Sequence, residues 1–186
     1  MGIEDVELVE PTPEKTGPWI QTFSGGRFYF DNPDPKEINI EDIAQALSKQ
    51  CRFAGHIKQF YSVAEHSLFV SYLAVNPLEG LLHDASEAFL VDMPSPIKAT
   101  LQSYRDVEDG IMAIIAKKWG FAWPISADTH ECDRIMLVEE AEALLNKCEW
   151  IEDYRPSSGR RGILPQCMSP TEAYEAFMTR YRQLTK

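Results

Sequence analysis

Residues 76–98 read NPLEGLLHDASEAFLVDMPSPIK. Asn76, Pro77 and Glu79 are a helix start: the Asn side chain accepts from a free backbone N–H, Pro is tolerated in the first turn, and an acid suits the positive end. Leu81, Leu82, Ala85, Ala88, Phe89 and Leu90 supply an apolar run, and His83, Asp84 and Glu87 interrupt it. Polar groups set among buried residues cost free energy unless they are paired. Successive residues on a helix stand about 100° apart, so His83 and Asp84 can converge on one point in the second turn, with Glu87 on the same side. A divalent metal ion accounts for the trio, because an imidazole nitrogen and a carboxylate oxygen are both good ligands and the ion offsets the carboxylate charge. Two ligands are too few, so others must come from elsewhere in the chain.

His66, in VAEHSLFV, is one such candidate, one turn into a helix capped by Ser62 and flanked by the apolar Val63, Leu68 and Val70. Asp133, in HECDRIMLVEEAEALL, is the other, beside the apolar stripe of a later helix. Four helices would then meet around one ion.

The rest of the chain fits that picture. Residues 1–18, rich in Pro, Glu and Thr, are expected to form a mobile arm ahead of a single domain over 19–186. WIQTFSGGRFYF alternates aromatic and polar residues around Ser24, Gly25 and Gly26, the pattern of a small β-hairpin. Helices are expected to start at Asn39, at a Ser62–Glu65 capping box, at Asn76 and at Ser169–Pro170–Glu172. Two more are expected over about Ser103–Trp119, stopped by Gly120, and Ala127–Lys147, with Ile135, Val138, Ala141 and Leu145 on one face. The fold class is therefore all-α, a bundle of about six helices behind a short hairpin.

Composition narrows the function classes. The chain has 186 residues, 44% of them hydrophobic, enough for a substantial core. Its formal charge of -11 argues against a nucleic-acid polymer as partner, since such binders present basic surface. The four cysteines show no C-x-x-C spacing, so neither a disulfide framework nor a thiolate zinc site is signalled. No apolar run has the length of a membrane helix, and MGIEDVELVE is not a signal peptide. The expectation is a cytoplasmic protein with no membrane partner.

The order His66, His83-Asp84, Asp133 resembles the HD-domain phosphohydrolase superfamily. More closely, CRFAGHIKQFYSVAEHS (51–67) and HDASEAFLVDMPSPIK (83–98) resemble the branch of bacterial YfbR-type 5′-deoxynucleotidases and phage dATP triphosphohydrolases. The resemblance runs from about Trp19 to Glu142. It implies an HD-domain helical bundle in which His66, His83, Asp84 and Asp133 hold a divalent metal, cobalt, manganese, zinc, magnesium, nickel or iron. The metal would lower the pKa of a bound water and polarise a phosphoryl oxygen. Asp84 and Glu87 would carry catalysis, Glu87 as the acid that manages a proton. Arg52 and Lys98 match phosphate-gripping positions, and Pro96 would line the sugar or base. Phe53 stands where the nucleotidase branch usually has Trp, and the stretch from Arg52 to His66 is one residue shorter than in that branch. Ala54 and Gly55 leave room for a purine between Phe53 and Pro96, and His56 could reach the substrate phosphates.

The resemblance implies hydrolysis of free 2′-deoxynucleotides, dATP first, with dADP and dAMP, in a bacterial or phage-infected cytosol by a homo-oligomer. The runner-up is a general 5′-deoxynucleotidase acting on dNMPs, and a nucleotide or metal sensor is the non-enzyme alternative. A di-iron oxygenase would need more core histidines, and cyclic-dinucleotide phosphodiesterases carry a Gly-Tyr-Pro motif that is missing here. Each residue also has a plainer reading: His83 as a core histidine bonded by its neighbour, Glu87 as a solvated acid, Arg52 as partner to one of many acids. His130 and Cys132 match no zinc spacing. Arg155, Arg160 and Arg161 form a basic loop in an acidic chain.

Overall fold

The computed structural model describes residues 15–186; most of the arm expected over 1–18 lies outside the described residues. The fold is mostly helical behind a small antiparallel hairpin, as the sequence patterns require. The hairpin strands are β1 (Trp19–Gln21) and β2 (Arg27–Tyr29), paired Ile20 to Phe28. The helices are α1 (Ile40–Leu47), α2 (Val63–Leu73), α3 (Pro77–Leu82), α4 (Ser95–Lys98), α5 (Gln102–Trp119), α6 (Ala127–Leu144) and α7 (Pro170–Leu184). Short 3-10 turns cover Arg52–Gly55, Ala85–Ala88 and Glu149–Tyr154. All six expected helices form, and the four-residue α4 is an addition. Among the described residues no helix is long and apolar enough to cross a membrane.

The caps act as the sequence signals imply, with one systematic difference. Asn39, Ser62, Asn76 and Ser169 each accept a hydrogen bond from the N–H three residues on. Only Ser169 and Glu172 complete the reciprocal capping box. Glu65 and Glu79 leave their own helix ends instead. The Glu65 carboxylate accepts the backbone N–H groups of Gln166, Cys167 and Met168 at 2.6, 3.1 and 2.8 Å. Glu79 accepts from Ser126 N–H, Ser126 Oγ and Thr129 Oγ1 at 2.8, 2.6 and 2.6 Å, so it ties α3 to the start of α6. A buried carboxylate takes the nearest free donors that tertiary packing offers, whatever its local spacing.

α3 is shorter than NPLEGLLHDASEAFL suggests. His83 is its C-cap; Asp84 leaves helical geometry at φ -105°, ψ 16°, and the chain tightens into the 3-10 turn over Ala85–Ala88. The break separates the His83 and Asp84 side chains from a regular helical ladder and turns both toward α2. Gly80 makes this possible. A Cβ there would stand 3.0 Å from the Ala74 Cβ and 3.1 Å from both the Ser71 Cα and the Val70 carbonyl, tighter than ordinary contact, so glycine lets α3 lie this close to α2.

α2 is buried from Val63 to Ser71, the pattern of a helix surrounded by others, and only its last turn, with Tyr72, reaches the surface. On one side lies the core of Phe28, Ile43, Leu47, Leu82, Ile111, Ile115 and Phe177, which joins the hairpin to α1, α3, α5 and α7. On the other, Tyr61, Leu68, Phe69, Cys132, Met136 and Leu144 pack α2 against α6. Phe28 of the hairpin is fully buried and stacks on Phe89 at 4.1 Å between ring centroids, so the hairpin is a packing element of the bundle. The Asp42 carboxylate accepts from Ser24 N–H and Ser24 Oγ at 2.7 and 2.9 Å and fixes the hairpin turn to α1. Glu65, His66, Ser67 and Ser71 of α2 therefore face protein, and His66 is the one that faces both α3 and α6.

Candidate metal centre

His66 is fully buried in the first turn of α2, and its Nε2 stands 3.3 Å from His83 Nε2. Asp133 Oδ1, from the second turn of α6, lies 3.1 Å from His66 Nε2 and 4.0 Å from His83 Nε2. Asp84 Oδ2 lies 3.1 Å from His83 Nε2 and 3.7 Å from His66 Nε2. Three helices, not four, meet at this point. His66, His83 and Asp133 offer ligand atoms within 4.8 Å of one another, a group that could hold a metal ion, and Asp84 approaches both imidazoles beside it.

The outward nitrogens decide what the inward ones can do. His83 Nδ1 lies 2.9 Å from the Gly80 carbonyl, which can only accept, so Nδ1 carries the proton. His66 Nδ1 lies 2.6 Å from Glu140 Oε1 and likewise donates to a carboxylate. Both Nε2 atoms are then free to present lone pairs to each other and to two carboxylates. Four electron-rich atoms at these separations repel without a cation among them, so the donor set suits a divalent ion of the kind bound by mixed imidazole and carboxylate ligands.

The charge balance follows. Burial and Arg52 oppose protonation of His66, but Glu140 and Asp133 outweigh them and its pKa stands up at about 9. Burial likewise opposes charge on His83, and Asp84 pulls its pKa upward. Burial would raise Asp84, yet His83, His66 and Arg52 hold its carboxyl well below the usual carboxylate range. Protons and a metal cation thus answer the same negative field.

Glu87 sits in the 3-10 turn after Asp84, buried, with Oε1 3.6 Å from Lys98 Nζ and Oε2 without a hydrogen-bond partner among the described residues. Burial, then Asp84 and Asp92, push its carboxyl well above the ordinary value and favour the protonated acid. Lys98, at the end of α4, holds Glu108 at 2.8 Å while facing Glu87. Arg52 presents Nη1 3.9 Å from Asp84 Oδ2 and donates from Nε to Glu140 Oε2 at 3.0 Å.

The turn after Arg52 is unusual. Phe53 and Ala54 take φ of 56° and 50°, followed by Gly55 at 77°, three left-handed residues in a row. Such backbone costs an L-residue roughly 1–2 kcal/mol per residue. It folds the Phe53 ring back toward its neighbour, 5.6 Å from the Arg52 guanidinium. Ala54, Gly55 and His56 are exposed, as is Pro96 in α4; His56 is not part of the histidine–aspartate cluster. His130 is exposed as well. Cys132 is buried beside Arg160, and all four cysteines are free.

The basic loop does not offer free cations. Arg155 pairs with Glu152 and Glu142, Arg160 with Asp128, and Arg161 with Glu139.

Three further residues that no local sequence pattern marks surround the site. Glu140, fully buried, gathers His66, Arg52 and Tyr61, whose hydroxyl donates at 2.9 Å. Its only signal is position, two turns after Asp133 on the same face of α6. Asp92 feels Arg52, Asp84, His66 and Lys98, with burial raising its pKa. Gln50 donates to the Glu87 carbonyl at 2.8 Å and accepts from Asp92 N–H at 2.9 Å, clamping the segment that carries both acids.

No family model matches the chain. It is 38% identical over 173 residues to the uncharacterized protein YfdR of Escherichia coli, across 90% of this chain and 96% of that protein. It is 32% identical over 188 residues to an uncharacterized protein of Rhodobacter capsulatus, again across 90% of this chain and 96% of the relative.

Proposed function

The chain belongs to the family of Escherichia coli YfdR, and we propose that it is an HD-type, metal-dependent phosphohydrolase of free 2′-deoxynucleotides, with dATP as the preferred substrate and dADP and dAMP also cleaved. The observation that carries this reading is the convergence of His66 on α2, His83 and Asp84 at the end of α3, and Asp133 on α6, at 3.1 to 4.0 Å, with both Nδ1 atoms committed elsewhere.

His66, His83, Asp84 and Asp133 would hold the ion, which supplies activation of a water and polarisation of a phosphoryl oxygen. Attack by the water at the phosphorus nearest the sugar forms a new P–O bond and breaks the bond to the 5′ oxygen. The leaving oxygen needs a proton. Glu87, whose carboxyl burial and Asp84 push upward, would be the acid that gives it and would take back the proton that the water loses. Arg52 would meet the phosphate oxygens with the guanidinium nitrogens that Glu140 leaves free, and Lys98, held by Glu108, would add a second charge. These two cations give an acidic protein a local field for an anionic substrate. Phe53 and Pro96 would flank the base, and the surroundings of Gly55 beside Phe53 are open, since even an added Cβ would meet nothing within 4 Å.

The test is product analysis by mass from a panel of dNTPs, dNMPs and rNTPs, with cobalt, manganese, magnesium or zinc. The expected result is deoxyadenosine from dATP, dADP and dAMP. Turnover of all dNMPs and of no triphosphate would make the protein a general 5′-deoxynucleotidase. Silence with every substrate and metal would overturn the hydrolase reading in favour of a sensor.

A further inference from the structure

We infer that Glu140 is a positioning residue that sets both the metal affinity of His66 and the aim of Arg52. The inference rests on the proposed metal site and extends it to a residue that touches neither metal nor substrate.

Three donors end on this one carboxylate. Oε1 accepts from His66 Nδ1 at 2.6 Å and from Tyr61 Oη at 2.9 Å, and Oε2 accepts from Arg52 Nε at 3.0 Å. Glu140 is fully buried, so water does not compete for these bonds. α6 therefore grips the His66 ring from both sides, with Asp133 at Nε2 and Glu140, seven residues on, at Nδ1. The same carboxylate holds Arg52 by its inner nitrogen and leaves Nη1 directed to Asp84, 3.9 Å away. A ligand histidine whose second nitrogen donates to a carboxylate is oriented, locked in one tautomer and made more basic. Here that carboxylate also fixes the distance between the phosphate-gripping cation and the ion. Metal site and phosphate grip share one anchor.

Glu140→Gln separates this role from a structural one. An amide has one acceptor oxygen, and its fully bonded orientation gives that oxygen to Arg52 Nε and its two N–H groups to His66 Nδ1 and Tyr61 Oη. His66 must then carry its proton on Nε2, the atom a metal needs. Tyr61→Phe removes one donor from the same carboxylate and leaves the His66 tautomer alone. Titration calorimetry with Co2+ on the full chain, with folding checked by circular dichroism, is expected to show affinity lowered about 10- to 100-fold in Glu140→Gln. Tyr61→Phe should stay within about threefold of wild type while its thermal midpoint falls, as loss of a buried hydrogen bond requires. Folded Glu140→Gln with wild-type Co2+ affinity overturns the inference.

If Glu140→Gln does not fold, 15N-histidine NMR of the Zn2+-loaded wild type decides. The expected spectrum has His66 protonated at Nδ1 and metal-bound at Nε2, and ligation through Nδ1 overturns the inference. A wild type that binds Co2+ but cleaves no nucleotide sinks the hydrolase reading and leaves this comparison intact. A wild type that takes up no Co2+ overturns the inference directly.

Discussion

The Nε2 atoms of His66 and His83 face each other across 3.3 Å while each Nδ1 donates to a fixed oxygen, Glu140 in one case and the Gly80 carbonyl in the other. Two imidazoles so constrained cannot turn away from one another. Gly80 lets α3, which ends at His83, lie close against α2, and the charge that reconciles the two imidazoles has to come from outside the chain or from protons.

Asp84 lies beside both imidazoles, so Asp84→Ala should remove a proposed ligand from the centre without disturbing the core, because the side chain is partly exposed. Titration calorimetry with Co2+ or Mn2+ is expected to show affinity reduced by at least the roughly 10- to 100-fold that loss of a ligand's hydrogen-bond partner costs, together with loss of the proposed nucleotide cleavage. Tight metal binding retained in that variant would remove Asp84 from the ligand set.

Glu87 makes a different forecast. Glu87→Gln keeps the shape of the side chain and removes its proton, so metal affinity should hold while kcat falls by about 10²-fold or more. The thermal midpoint should hold or rise, since Oε2 has no partner to lose among the described residues and Lys98 keeps its bond to Glu108. Undiminished turnover would take Glu87 out of the mechanism.

Ala54 sits at φ 50°, ψ 28° next to the proposed phosphate arginine. Glycine accepts this conformation freely, and the relief exceeds the added freedom of the unfolded chain, so Ala54→Gly should stabilise by about 0.5–1 kcal/mol. Ala113, exposed in the middle of α5, is the control: Ala113→Gly should destabilise by about 1 kcal/mol. Urea unfolding of both variants reads the two signs, and equal signs would mean that the turn is not strained.

Glu65 holds the chain just before α7 through three backbone N–H groups. Glu65→Ala strands those donors in a buried place and should cost about 2–4 kcal/mol. Hydrogen exchange at Gln166, Cys167 and Met168 should accelerate more than exchange within α7. Unchanged protection at these amides would show that the segment is held by its apolar neighbours instead.

Local chemistry in the sequence determined the helices and much of the centre. Asn39, Ser62, Asn76 and Ser169 mark helix starts because a cap is satisfied within four residues, and Gly120 ends α5 because its left-handed φ of 75° suits glycine. His83-Asp84 stood out because polar side chains in an apolar run need a partner, and His66 and Asp133 could be named by the same reasoning. What depended on distant groups was not legible. Glu65 and Glu172 occupy the same position after a capping serine, yet one closes its own box and the other crosses to residues 166–168. The arginines of the basic loop look available for phosphate until their acids on α6 and beyond come alongside. Glu140 looked like one acid among many in EEAEALL, and only folding sets His66, Tyr61 and Arg52 around it. A hydrogen bond or ion pair goes to whichever donor packing brings within about 3 Å, and for groups far apart in the chain that choice belongs to the tertiary structure.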